Sequence, residues 1–99
     1  MGDFPPRQRV TQAEIQRRFN TGNYWQRAQR GELRQTVMKD RPCRLASEPP
    51  GTRSQIVAYY DGNERVALVH QYLRPDEMIG ASGLPDPKEL REEGVIYFV

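Results

Sequence analysis

The chain has one cysteine, one histidine and no long apolar run, and each scarcity excludes a class of protein. Cys43 has no second cysteine for an internal disulfide, and no cysteine or histidine stands near it at metal-ligand spacing. No apolar stretch approaches the roughly 18 residues that cross a bilayer, and the first six residues lack the apolar stretch of a secretory signal. We therefore predict a cytoplasmic protein in a reducing compartment, with no metal, no cofactor and no membrane contact.

Lysine is scarce as well, because Lys39 and Lys88 are the only lysines among fifteen basic residues. Residues 1–46 carry ten Lys or Arg and four Asp or Glu, a balance of +6, whereas residues 47–99 carry five and nine, a balance of −4. Arginine suits bidentate phosphate contacts and stacking on bases, although a solvated arginine-rich face explains the same composition. If the basic half contacts nucleic acid, RNA or DNA, the candidate side chains are Arg17, Arg18, Arg27 and Arg30.

The 99 residues suffice for one domain, which we place at 10–99 after a flexible arm over 1–9. Thr11 and Glu14 have the spacing of a capping box, which predicts a helix over 11–19. A second short helix is predicted over 24–30, after the helix-ending sequence Asn-Thr-Gly-Asn.

Four segments have the composition of β-strands. They are 33–38, 55–60, 65–73 and 95–99, and the middle two flank a turn sequence and so predict a hairpin. The Gly/Pro-rich loop that follows the hairpin has room for one helical turn at 87–91. We therefore predict an α+β fold, with two short N-terminal helices packed on a small, mostly antiparallel four-stranded sheet.

The last segment, 95–99, is apolar on both of its faces. Such a strand belongs inside a sheet or against another molecule. It therefore predicts a homo-oligomer or a protein partner that pairs with the chain through strand 95–99.

The sequences VHQYLRPD at 69–76 and GASGLPDPK at 80–88 resemble the C-terminal part of short bacterial proteins that have no assigned activity. The resemblance covers about a third of the chain and implies a shared fold, but no residue role. From the residues alone, the loop gathers polar side chains at a strand end and in Gly-rich turns, where a phosphate could bind. The candidate site residues are His70, Arg74, Ser82 and Lys88. Alternatively, the glycines and prolines simply shape turns and His70 is a rim histidine.

Two enzyme classes can be assembled from these residues. A hydrolase triad of Ser82, His70 and Asp86 lacks the Gly-x-Ser-x-Gly turn that usually presents such a serine. A metal-independent ribonuclease needs a general base such as His70, the cations Arg74 and Lys88, and a tyrosine such as Tyr72 or Tyr97. Helices followed by a small antiparallel sheet are also similar to RelE-like and barnase-like ribonucleases, which are toxin-type enzymes, but a fold does not decide a function.

A helix-turn-helix is a further alternative for residues 11–30. Gln16, Gln26 and Gln29 stand where that motif needs small or apolar residues, so only its first half matches. The sequence favours a small binding protein, self-associating or bound to a partner, whose Arg-rich half contacts nucleic acid. A metal-independent ribonuclease is the alternative.

Overall fold

The computed structural model describes residues 4–99 and contains two helices and six strands. In chain order these are β1 Arg7–Arg9, α1 Gln12–Thr21, α2 Tyr24–Gln29, β2 Arg34–Pro42, β3 Arg53–Asp61, β4 Glu64–Leu73, β5 Asp86–Glu92 and β6 Val95–Phe98. Within the described residues, neither helix is long and apolar enough to cross a membrane.

The first helix begins where the capping residues predicted it. The Thr11 hydroxyl oxygen accepts a hydrogen bond from the Glu14 backbone N–H at 3.1 Å, which satisfies one of the free donors of the first turn. The helix ends as the Gly22 N–H donates to the Arg18 carbonyl oxygen. Ile15 and Phe19, four residues apart, are buried on one side.

The sheet corrects our fold prediction, because it has six strands and is mixed rather than four-stranded and mostly antiparallel. Its order is β1-β6-β5-β4-β3-β2, with β1 parallel to β6 and all other neighbours antiparallel. The two strands that we missed, β1 and β5, carry mostly charged or polar residues and little of the β-branched composition that marks a strand. They form strands because neighbouring strands supply hydrogen-bond partners.

The segment 87–91, where we predicted a helical turn, lies in β5. Pro87 pairs with Val69 beside a register shift in the β4–β5 ladder, an irregularity of the kind that tolerates the missing N–H of proline. Leu90 of β5 is fully buried. At the other end of the chain, β1 and a hydrogen bond from the Val10 N–H to the Phe98 carbonyl oxygen bring residues that we assigned to a flexible arm onto β6.

Strand β6 lies between β5 and β1, so strands of its own chain flank it on both sides. A partner could add a strand beside Val95–Phe98 only after displacing the three-residue β1. Pairing of a partner through this segment stays a prediction. The outer edges of the sheet are β1 and β2, whose residues are mostly exposed.

Both helices contribute to one core on a single face of the sheet. The core residues alternate along the strands, so that every second side chain of β3 and β4 points toward the helices. The cluster consists of Ile15, Phe19, Tyr24, Ala28, Leu33, Val57, Tyr59, Ala67, Val69 and Leu90. The opposite face of the sheet therefore carries the intervening side chains.

We predict that Leu90→Ala lowers the free energy of unfolding by about 2–5 kcal/mol, since it leaves a cavity under α1. Leu84→Ala is the matched control, because Leu84 is 42% exposed while Leu90 is 0% exposed. Urea unfolding followed by circular dichroism measures both variants. Equal destabilisation by the two substitutions would contradict the assignment of Leu90 to the core.

Candidate functional site

Two rows of polar side chains cross the sheet face that is opposite to the helices, which we call the open face. Ladder pairing aligns Arg41 of β2 with Ser54 of β3 and Tyr72 of β4. The adjacent row contains Lys39, Ile56, His70 and Asp86, from β2, β3, β4 and β5. Residues directly opposite on antiparallel strands have Cβ atoms about 4.5–5.5 Å apart, so the side chains within each row are neighbours. Along each of β2, β3 and β4 one residue separates the two rows, so the rows form one continuous patch.

His70 stands at the centre of this patch. Its Nε2 lies 2.8 Å from the Ser54 hydroxyl oxygen, and its ring meets the Tyr72 ring edge-on with 4.7 Å between centroids. Partial burial lowers the pKa of His70 below its ordinary value, and the nearby positive charge of Lys88 lowers it further, while the Asp86 carboxylate opposes the shift. The net effect favours the neutral imidazole, which can accept a proton.

Three cations of β2 and of the connection that follows it have no partner within residues 4–99. Lys39, Arg41 and Arg44 are exposed, and in this part of the chain none makes an ion pair, a side-chain hydrogen bond or a stacking contact with an aromatic ring. Arg34, the basic residue of β2 besides Lys39 and Arg41, lies over the Tyr60 ring. The three unpaired cations fall within residues 39–44, so they give the end of β2 and the connection after it a local positive field that the net charge of +2 conceals.

Two adjoining depressions lie among these side chains. The smaller, with a volume of about 260 Å³, is lined by Lys39, Arg41, Ser54, Ile56 and His70. The larger, with a volume of about 600 Å³, is lined by Arg41, Pro42, Arg44, Leu45, Ser54 and Tyr72. Since Arg41 and Ser54 line both, a ligand of two parts can occupy the pair, with its anionic part beside His70 and its apolar part beside Tyr72.

Glu48 holds in place the β2–β3 connection that carries Arg44 and Leu45. The Arg74 guanidinium donates to both Glu48 carboxylate oxygens, at 2.8 and 3.1 Å, and the Ala81 N–H donates to one of them at 3.0 Å. These hydrogen bonds, led by Arg74, lower the pKa of Glu48. A Cβ atom on Gly80 would come 2.7 Å from the carboxyl carbon of Glu48, so only glycine leaves room for this contact.

The predicted loop site therefore separates into different parts of the molecule. Arg74 is engaged by Glu48, and Ser82 exchanges hydrogen bonds with Leu84 inside its own turn. The Lys88 ammonium donates to the Gln12 side-chain oxygen at 3.4 Å, yet its charge still reaches His70. Of our four loop candidates, only Lys88 acts on His70, through its charge, and within residues 4–99 no hydrogen bond or ion pair joins any two of the four.

The four arginines predicted for nucleic-acid contact lie on the helices or, for Arg30, directly after α2, and all have carboxylate partners. Arg17 and Arg18 pair with Glu14, and Arg18 also pairs with Glu92 and covers the Tyr97 ring at 3.9 Å. Arg30 pairs closely with Glu32, whereas Arg27 reaches carboxylates at 3.9 and 4.0 Å. Their charge is largely compensated within the chain.

Sequence reasoning did not identify Lys39, Arg41, Arg44 or Ser54. It named Tyr72 only as one of two tyrosines that could serve a ribonuclease. Cross-strand alignment decides which of these side chains meet, and a single sequence does not contain the register of β2 against β3. The signal that was available is the charge of the 39–44 segment, which holds three cations and one acid. In residues 4–99, no three His, Cys, Asp or Glu side chains gather where they could hold a metal ion.

Comparisons with known proteins add no family to this description. A scan against protein-family models finds no match, and searches of curated proteins and of solved structures find no significant similarity. The open face must therefore be interpreted from its own residues.

We predict opposite shifts in the pKa of His70 for two charge-removing substitutions. Lys88→Gln removes a positive charge and should raise the pKa, whereas Asp86→Asn removes a negative charge and should lower it. Titration of the His70 ring protons by NMR, on the only histidine of the chain, measures both. Shifts of the same sign in the two variants would show that the surroundings of the ring differ from those described.

Proposed function

We propose that this chain binds single-stranded RNA on the open face of its sheet. The observation that carries the proposal is the row of unpartnered cations, Lys39, Arg41 and Arg44, beside the aromatic rings of His70 and Tyr72. Proteins that bind single strands combine a cationic path for the phosphates with aromatic rings on which bases stack. The open face supplies both within two adjoining depressions.

The hydroxyl and imidazole groups at the centre favour RNA over DNA. The Ser54 hydroxyl and His70 Nε2 are hydrogen-bonded to each other at 2.8 Å, which leaves the hydroxyl with further hydrogen-bonding capacity and the ring with its other nitrogen, next to the cations that would hold a phosphate. A ribose 2′-hydroxyl is both donor and acceptor, and it is the group by which proteins distinguish RNA from DNA. Equal binding of DNA would remove this part of the proposal.

Replacing both Lys39 and Arg41 by alanine should lower the affinity for RNA. It should also make that affinity depend less steeply on salt concentration. Each phosphate contact on a single strand contributes about 0.7 to the slope of log affinity against log salt, so the slope should fall by about 1.4. Fluorescence anisotropy with a labelled oligonucleotide of mixed sequence, measured at several salt concentrations, gives the slope.

The matched control is the double variant Arg17→Ala with Arg30→Ala, which removes the same charge from the helical side. Its RNA affinity should stay close to that of the unaltered chain. An equal loss in both double variants would show that total charge, rather than the open face, determines binding.

A second candidate function is cleavage of the bound RNA without a metal, and the neutral His70 favours it. When His70 Nε2–H donates to Ser54, the other ring nitrogen, Nδ1, is left as a proton acceptor. Its lowered pKa keeps that acceptor neutral at pH values where an ordinary histidine is already protonated. Lys39 and Arg41 are placed to stabilise negative charge on a phosphate beside it.

The step would be an internal transesterification. Nδ1 of His70 takes the proton of a ribose 2′-hydroxyl, whose oxygen bonds to the adjacent phosphorus as the bond from phosphorus to the 5′ oxygen breaks. The 5′ oxygen takes up a proton from water, and the hydroxide that remains takes the proton from His70, so that the imidazole returns to its neutral form. The products are a 2′,3′-cyclic phosphate and a 5′-hydroxyl, with no change in oxidation state.

His70→Gln should lower the cleavage rate by roughly 10²- to 10⁴-fold while RNA binding persists, because glutamine keeps hydrogen-bonding capacity but does not act as a base. Chromatography of the products, with and without a chelator, measures the cyclic phosphate. If the unaltered chain yields none under any condition, the cleavage proposal fails and the binding proposal stands on its own test.

A further inference from the structure

The larger depression on the open face is lined by an unusual set of polar groups. Its side chains include two guanidinium groups, from Arg41 and Arg44, and no carboxylate or amide. A guanidinium carries five N–H donors and no acceptor. The side chains of Pro42, Leu45 and Tyr72 provide apolar surface beside these donors. Such a depression suits a flat aromatic ring whose edge presents hydrogen-bond acceptors.

The bases of RNA differ in the edges that they present. Guanine has two adjacent acceptors, N7 and O6, whereas adenine pairs the acceptor N7 with the donor N6, and cytosine presents a donor at N4. An arginine that donates to both N7 and O6 is the commonest specific base contact in nucleic-acid complexes. The guanidinium groups, which only donate, therefore match guanine and conflict with the amino groups of adenine and cytosine.

We infer that the larger depression selects guanine through its N7 and O6 atoms, with Arg44 as the side chain that reads them. This inference rests on the proposed RNA binding and adds a base preference to it. Arg41 lines both depressions and so serves the phosphate as well, whereas Arg44 lines the larger depression and not the smaller. The phosphate of the same nucleotide lies beside Lys39 and His70.

The backbone that carries Arg44 is held in place by hydrogen bonds, which a reading side chain requires. The Cys43 N–H donates to the Thr52 carbonyl oxygen at 2.9 Å and closes the β2–β3 connection at its base. Glu48, inside the same connection, is fixed by Arg74 and by the Ala81 N–H. Since the Arg44 side chain has no ion-pair or hydrogen-bond partner within residues 4–99, it is available to a base without breaking an existing contact.

The test uses four five-nucleotide RNAs that are uridine except at the centre, which is guanine, inosine, 7-deazaguanine or adenine. All carry unmodified riboses, and chromatography after each measurement checks that the RNA is intact. Inosine keeps N7 and O6 but lacks the 2-amino group, and 7-deazaguanine lacks N7. We expect guanine and inosine to bind alike, adenine to bind roughly 5- to 150-fold more weakly, and 7-deazaguanine to lie between them.

Arg44→Lys is the variant that isolates the reading side chain, because it keeps the charge and loses the two-pronged donor geometry. The Arg44→Lys chain should bind all four RNAs with similar affinity. That affinity should be close to the affinity of the unaltered chain for the adenine RNA. Lys39→Ala should weaken all four by a similar factor and keep their order.

Three outcomes would overturn the inference. These are equal binding of the guanine and adenine RNAs, a guanine preference that survives Arg44→Lys, and inosine binding as weak as that of adenine, which would indicate that another edge of the base is read. In each case the adenine RNA still binds and the proposed function survives. If none of the four RNAs binds, the proposed function itself fails.

Discussion

The packing of α1 and α2 on one face of the sheet determines which side chains the opposite face presents. Ile15 and Phe19 need an apolar surface, and Val57, Tyr59, Val69 and Leu90 provide it. Because side chains alternate along a strand, the register that turns Val57 and Val69 toward the helices also turns Ile56 and His70 to the other side. A one-residue slip in that register would bury the polar row and expose the core.

The charges follow the same division of the molecule. Nine arginines pair with carboxylates within 4.0 Å, among them those of both helices. These pairs are mostly exposed, so each contributes little to stability. Their importance is electrostatic, because they compensate the helical surface. Six basic residues have no carboxylate partner within residues 4–99, and three of them, Lys39, Arg41 and Arg44, lie close together in sequence at one end of the open face. A polyanion would therefore meet its strongest attraction on the open face rather than on the helices.

The sequence predicted the elements with the clearest local signals. Thr11 and Glu14 located α1 within a residue or two, and the alternating pattern of 65–73 located β4 and its two faces. Strands β1 and β5 were missed because Arg7–Arg9 and Asp86–Glu92 have strand geometry only through their neighbours. Tertiary pairing overrides local propensity in both.

The site was predicted only in part, again because the pairing of strands decides which side chains meet. His70 was recognised as the only histidine, but its partner Ser54 is sixteen residues away and meets it only across the β3–β4 ladder. Arg74 and Ser82 were near His70 in sequence, and the fold directs them to Glu48 and to Leu84. Proximity in the chain was misleading, because on a sheet the residues that share a site come from neighbouring strands.

One measurement tests the central claim most directly, and it needs no substitution. Backbone amide signals of the isotope-labelled chain are followed by NMR while a short single-stranded RNA is added. If the open face is the binding surface, the largest shifts fall on residues 39–45, 54–56 and 70–72, and α1 and α2 change little. Shifts concentrated on the two helices, or no shifts at low salt, would contradict the account.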